Sequence, residues 1–393
     1  MKAQRIVLNG LLSLFIFTTL AQGQEFSNTA SRMIQDEDRL TIGGYAQIDY
    51  NQPISNGAYN SGNLDVHRMV LMFGYKFNQK VQFISEVEFE HVKEVYVEQA
   101  FLQYEIAPWL KFRGGLMLIP MGIINEYHEP STFNGVERPN VDKYIVPTTW
   151  REIGAGFTGV FPTAALSYQL YVVNGFKGYD GEAYLSGANG FRKGRQKGAE
   201  SVMSSPNLTF KVNYFGVSGL QLGLSAYMGN TQSTLYNGVD KTDMESVAQA
   251  DSSVVGLSMI GMDVRYNLGG LHLRGQVNYG WVSNSGSYNK FAGSDLGSSL
   301  GGWYGEVSYD LFHGVERFES GLIPFVRFEQ YNTHASVEPA TSLNPSYNRS
   351  DLTIGLGWRM ARGAMLKADY QVFDNKGTSE SRQQFNMGVA LWF

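Results

Sequence analysis

The 393-residue chain contains no cysteine, so neither a disulfide framework nor a thiolate metal centre is open to it. Charge is thin: Asp, Glu, Lys and Arg make up 17% of the residues, against roughly 25% in an ordinary soluble domain. With only 11 prolines the chain is not a Pro-rich disordered one. A net charge of −5 offers no basic surface for nucleic acid. Past the first twenty residues, no apolar run is long enough for a helix to cross a bilayer. The six histidines (His67, His91, His128, His272, His313, His334) form no H-E-x-x-H pair, and no G-x-S-x-G elbow occurs. No catalytic residue, metal or cofactor is therefore expected.

What is present is aromatic and alternating. The 24 Phe, 23 Tyr and 6 Trp are enough for two interfacial belts, and 45 Gly suit turns and crowded strand positions. Lys2 and Arg5 precede a mostly apolar stretch from Ile6 to Leu20, and Ala21–Gly23 offers small residues for cleavage before Gln24. We read 1–23 as an export signal, too short for the about 20 residues of a spanning helix. Its removal would take the net charge to −7 and leave 24–393 as one domain.

Period-two patterning runs along that whole domain. In "LHLRGQVNYGWV", Leu271, Leu273, Val277, Tyr279 and Trp281 face one way and His272, Arg274, Gln276 and Asn278 the other. "VQFISEVEFE" opposes Val81, Phe83, Val87 and Phe89 to Gln82, Glu86, Glu88 and Glu90. Strands are expected near 41–50, 64–77, 81–91, 94–106, 109–118, 150–161, 164–176 and 206–215. Eight more follow near 219–229, 253–268, 271–283, 301–311, 323–331, 350–360, 364–374 and 382–393. Pro324 would remove a ladder hydrogen bond, so that strand is begun beside it.

The connections alternate short with long almost throughout, the only short members of the long set being "HVKE" and the final "NKGTSES". "NQK" at 78–80, "AP" at 107–108 and "GG" at 269–270 are short; 51–63, 119–149, 177–205, 230–252, 284–300 and 332–349 are long. A closed up-and-down sheet puts alternate connections on the same end, giving one end of tight turns and one of long loops. The fold expected is an all-β transmembrane antiparallel barrel of about 16 strands, with short periplasmic turns and long extracellular loops. The final "FNMGVALWF" would turn its apolar face to lipid and pair with the first strand, leaving no open edge in hydrocarbon. That places the chain in the outer membrane of a Gram-negative bacterium.

A signal peptide, a barrel of this size and the terminal Phe393 resemble Gram-negative porins. The segments "RLTIGGYAQIDY", "HRMVLMFGYKF", "TTWREIGAGFTG" and "VEQAFLQYEIAPWLKFRGGLMLIPMGIINEYHEPSTFNGVERP" resemble the phosphate-selective porin O and P family in its Bacteroidota-like branch. The likeness is concentrated between Arg39 and Gly159. It implies a homotrimer of 16-stranded barrels in lipid and lipopolysaccharide, an inward-folded third loop, and assembly machinery that reads Phe393. It also implies passive diffusion of small hydrophilic solutes, ions and anions such as phosphate. The lumen assigned from strand faces carries ten basic and ten acidic side chains, which speaks for a mixed polar pore over strong phosphate selectivity. The alternative is a barrel enzyme, lipase- or protease-like, with its site on the extracellular rim.

The loop 119–149 is the expected constriction. "PMGIINEY" is apolar enough to pack on a wall, and Pro130, Pro139 and Pro147 stiffen the path. Its Glu126, Glu129, Glu137, Arg138, Asp142 and Lys143 are expected to face wall residues Arg113, Arg274 or Arg327 across the pore, with Arg265 also lining it. His128 in "EYHEP" reads as part of a polar loop rim. "RKGRQK" at 192–197 reads either as a solvated tip or as a site for lipopolysaccharide phosphates. The segment "QEFSNTASRMIQDEDR" from Gln24 is polar and too short for the greasy N-terminal plug that a long-fatty-acid transporter would want.

Overall fold

The computed structural model describes residues 26–55, 57–315 and 319–393; the expected signal at 1–23 lies outside them. Sixteen antiparallel strands close into a barrel. They are β1 Leu40–Ile54, β2 Asn63–Lys76, β3 Val81–Glu90, β4 Glu94–Ala107, β5 Leu110–Leu118, β6 Arg151–Phe161, β7 Leu166–Val173 and β8 Asn207–Val217. The second half comprises β9 Leu220–Asn230, β10 Gly256–Leu268, β11 Leu271–Ser283, β12 Ser299–Tyr309, β13 Gly321–Ser336, β14 Asn348–Ala361, β15 Ala364–Asn375 and β16 Arg382–Trp392. Every strand expected from alternation is found. β1 and β13 run further into their loops than the pattern suggested. Pro324 lies inside β13, where it faces Leu356 of β14 beyond the last registered pair with β12, so its missing N–H breaks no ladder on that side.

The seam is made by β1 and β16, in register from Tyr45–Trp392 to Ile54–Gln383. Phe393 extends it by exchanging backbone hydrogen bonds with Gly44 at 3.0 and 3.1 Å. A Cβ on Gly44 would meet the Val70 carbonyl at 2.3 Å and the Phe393 ring at 2.8 Å, so only glycine lets the terminal ring settle there.

The outer face carries the apolar residues. Leu273 and Val277 are 38% and 47% exposed, and Met387 51%, while Gln276, Asn278 and Asn386 on the opposite face are buried. In water this band would drive aggregation; in lipid it is the solvated surface. Aromatic rings mark its edges: Trp109 stacks on Phe161, and Phe161 on Tyr168, at the end of tight turns, and Tyr279 packs on Trp281 at the other.

Candidate functional site: the loop across the lumen

Between β5 and β6 the chain turns into the barrel. Ile119 N–H donates to the Trp150 carbonyl at the neck, and the Asn125 amide ties both strands of the neck together. Its Nδ2 donates to the Ile119 and Trp150 carbonyls (2.7 and 2.9 Å), and its Oδ1 accepts from Trp150 N–H (2.7 Å). Met121, Ile123 and Ile124 of "PMGIINEY" are fully buried, and so is Ile119 just before it. A single helical turn, Val141–Tyr144, shapes the return.

The loop is bonded to opposite walls. On one side His128 meets Glu86 of β3 and Glu98 of β4 at 3.2 and 3.0 Å. On another, Lys211 of β8 donates to the Gly122 carbonyl and Gln276 of β11 accepts from Ile123 N–H. Across the barrel, Glu329 of β13 accepts from Val141 N–H, and Asp351 of β14 accepts from the Asn140 amide. Asp369 of β15 accepts from Val136 N–H, and Gln47 of β1 donates to the Val136 carbonyl. A segment pinned in this way to walls on every side is a diaphragm, not an external loop.

The charged residues expected at the constriction are mostly engaged differently from a facing pair across water. Glu126 pairs with Lys211 (2.9 Å), and Glu129 turns toward the N-terminal segment, meeting Thr29 N–H (2.6 Å) and Arg32 (3.4 Å). Arg274 donates to the Thr132 carbonyl and pairs with Glu306 of β12. Arg327 donates to the Glu137 carbonyl and sits between Glu306 and Glu329. Both wall arginines thus hold the loop's backbone instead of facing its carboxylates. Glu137 accepts from Asn51, Asp142 from Gln276, and Arg138 donates to the His128 carbonyl. Lys143 is exposed beside its neighbour's ring, 5.5 Å from the centre of Tyr144. Arg113 lies apart, bonded to Gln103 and stacked on Phe101 at 5.0 Å. Arg265 is covered by Tyr127 (3.9 Å) and Phe26 (4.4 Å).

Two expectations are corrected. His128 is not on a polar rim: it is 2% exposed, with Nδ1 on the Asn125 carbonyl and Nε2 between two carboxylates. Both ring nitrogens therefore donate, which requires the imidazolium. Burial alone would lower its pKa, but Glu86 and Glu98 outweigh that and raise it to about 10. "RKGRQK" is not a solvated tip: Arg192 and Arg195 both donate to the Thr148 carbonyl (2.7 and 2.8 Å), and Arg195 also reaches that of Thr149. Lys197 stacks 4.3 Å over Tyr96. The basic run latches the return limb of the diaphragm. Lys367 of β15 was assigned to the lumen from its strand face, but nothing in the sequence marked it as an anchor. Its Nζ donates to the Pro130, Phe133 and Gly135 carbonyls at 2.5, 2.6 and 3.0 Å.

Two cavities lie on opposite sides of the diaphragm and have no lining residue in common. The outer, about 680 Å³, is bordered by Arg68, Arg138, Arg192, Asp351, Asp374 and Arg382. The inner, about 340 Å³, is bordered by Gln103, Arg113, Tyr127, Tyr171 and Asn213. Both signs of charge occur in the first, and the second is polar and uncrowded by acids.

Among solved structures, the outer membrane channel DcaP of Acinetobacter baumannii superposes with a TM-score of 0.60 at 13% identity, over 90% of this chain and 97% of that one. OmpF of Salmonella typhi, in complex with daunomycin, gives 0.57 at 12% over 90% and 97%. An anion-selective porin from Comamonas acidovorans gives 0.54 at 12% over 90% and 99%. These likenesses fix the fold: a porin-type barrel, whose lipid-facing band and closed sheet belong in the Gram-negative outer membrane. No family model matches the chain. An uncharacterized protein of Aquifex aeolicus (strain VF5) is 31% identical over 363 residues, covering 90% of this chain and 80% of that protein. Identity at that level over that length makes the two homologous throughout the barrel, and the chain belongs to the same family as the Aquifex aeolicus protein, with the architecture of an outer-membrane porin.

Proposed function

We propose that the protein is a passive channel through which small hydrophilic solutes and ions cross the outer membrane, with the diaphragm 119–150 as its constriction. The observation that carries this reading is the pair of polar cavities on either side of an inward loop, inside a barrel too wide to be filled by wall side chains alone. The pore-setting charges are Glu137, Arg138, Asp142 and Lys143 on the outer side, and Arg113 with Glu126 on the inner. Arg265, Arg274 and Arg327 set the lumenal potential indirectly, by holding the loop and its neighbours.

The mixed lining favours weak selectivity: arginines and acids both border the outer cavity, so phosphate and other anions pass as one class among several. Membership of the phosphate-selective O and P family rests on the resemblance of the segments between Arg39 and Gly159. A homotrimer is the assembly we infer; among structures sharing the fold, OmpT of Vibrio cholerae was solved in a trimer form. Swelling of proteoliposomes tests the reading. Sugar-dependent swelling that falls with solute size is expected. Impermeable liposomes accompanied by lipid cleavage would instead favour an enzyme on the rim.

A further inference from the structure

The first residues of the described chain do not hang in the periplasm. Phe26 lies inside the barrel, where its N–H donates to Gln221 of β9 and its carbonyl accepts from Tyr127 of the diaphragm. From there the chain descends through helix α1, Thr29–Gln35, capped by Asn28, whose Oδ1 accepts from Ser31 N–H at 2.8 Å. The Asn28 amide also donates to the Glu126 carbonyl at 2.7 Å. Thr29 N–H donates to Glu129, and Arg32 bridges Glu129 and the face of Trp392, 3.9 Å from the ring centre. Trp392 in turn donates to the Thr29 hydroxyl at 3.0 Å, so one short helix touches both the diaphragm and the strand that closes the seam.

The wall beneath α1 is unusual for a lumen. Tyr45, Met72, Ile84, Phe101 and Met117 point inward there, and Ala30 and Met33 pack on them. A bare apolar patch facing pore water is unfavourable, and the helix is what covers it. The remaining space is the inner cavity, bounded by Phe26, Asn28, Ser31 and Ile34 on one side and Arg113 and Tyr171 on the other. The segment therefore sets that cavity's width.

Its attachment is mostly polar: hydrogen bonds of Phe26, Asn28 and Thr29, an ion pair of Arg32, and Lys76 donating to the Asp36 and Arg39 carbonyls. Seven residues are too few for a helix to persist alone in water, where about 12–15 are needed. Only Thr29, Ala30 and Met33 of the helix are buried, and it joins β1 through the exposed residues 36–39.

We propose that Phe26–Gln35 is a displaceable plug of the periplasmic half of the lumen, docked under the diaphragm and swung out on the 36–39 tether. The proposal rests on the channel reading above. Displacement uncovers Arg265, leaves Glu129 without Thr29 and Arg32, and widens the inner cavity toward β4–β8, so both conductance and its ionic preference change with the plug.

Planar-bilayer recordings of the intact protein, of a variant lacking Phe26–Gln35, and of the pair Thr29→Cys with Gly43→Cys test this. A Cβ at Gly43 would stand 3.3 Å from Thr29 Cγ2, and the chain has no other cysteine. The deletion is expected to raise single-channel conductance by at least about twofold, since the segment narrows the passage in series with the diaphragm. A synthetic peptide of residues 26–35 added on the periplasmic side should bring it back down. The oxidised cysteine pair should lock the low level, and a reductant should restore transitions to the high one. A folded deletion variant with unchanged conductance, or an oxidised pair that gates like the reduced one, overturns the plug. If the deletion does not assemble, the cysteine pair decides alone. A protein that never conducts, with or without the segment, overturns the channel reading itself; one that conducts indifferently to the segment overturns only the plug.

Discussion

The ammonium of Lys367 stands 2.6 Å from the carbonyl oxygen of Phe133, and the Pro130 and Gly135 carbonyls accept from its other two N–H groups. One wall cation thereby fixes six consecutive residues at the centre of the diaphragm. Replacing it with an apolar chain of similar length strands three buried carbonyls, each worth about 1–3 kcal/mol when left unpaired. Lys367→Met is expected to fold as a barrel but to loosen the diaphragm, seen as larger current noise and faster proteolysis near Phe133. A quiet channel with protease resistance like that of the parent would show that the anchor is dispensable.

His128 makes the diaphragm's hold on β3 and β4 depend on pH. Its pKa is raised above the ordinary 6.5 to about 10 by Glu86 and Glu98. A raised pKa means the native state binds the proton more tightly than the unfolded one. The stabilisation is thus full below about pH 6.5 and is lost as pH rises through about 10. Loop fluctuations should increase across that window, and His128→Gln should abolish the dependence. Noise independent of pH from 6 to 10 in the parent protein would contradict it.

Arg138, carried by the diaphragm itself, borders the outer cavity near Arg68 and Arg192 and donates to the His128 carbonyl. Arg138→Glu exchanges one sign for the other in a narrow polar section, where fixed charges focus the field. A shift of reversal potential toward cation preference is expected under a salt gradient, with conductance changed less than about twofold. Removing Asn125–Lys143 altogether should raise conductance more than either point change. If neither change moves the potential, the selectivity lies in the inner cavity, with Arg113.

The two faces of β11 give opposite expectations. Val277 faces lipid midway along β11, so Val277→Arg costs about 2–4 kcal/mol near the bilayer midplane and should stall assembly, read as loss of the heat-modifiable band on gels. Arg274→Ala removes one bond to the Thr132 carbonyl and the pair with Glu306, and should still assemble. The reverse result would exchange inside for outside.

The barrel itself was legible because its physics is local. Alternation such as Leu273–Arg274 follows from one face in lipid and one in the lumen, and the alternation of tight and long connections follows from closure. Inward apolar packing of "PMGIINEY" was legible for the same reason, since an external loop has no use for the buried side chains of Met121, Ile123 and Ile124.

What the tertiary structure decided was which charges meet. Arg274 and Arg327, assigned to the lumen from their strand faces, hold backbone carbonyls of the loop, because the loop packs directly against them. His128 read as rim polarity, since Glu86 and Glu98 lie 42 and 30 positions away and only the β3–β4 register brings them to its ring. "RKGRQK" read as a solvated tip or a lipopolysaccharide site because a run of charge usually faces outward, but the chain path sets its arginines on the Thr148 carbonyl. Phe26–Gln35 looked too polar and short to fill anything, because a peptide of that length has no structure alone. The apolar pocket of Met72, Ile84 and Phe101 that receives it is assembled from separate strands, and only barrel closure creates it.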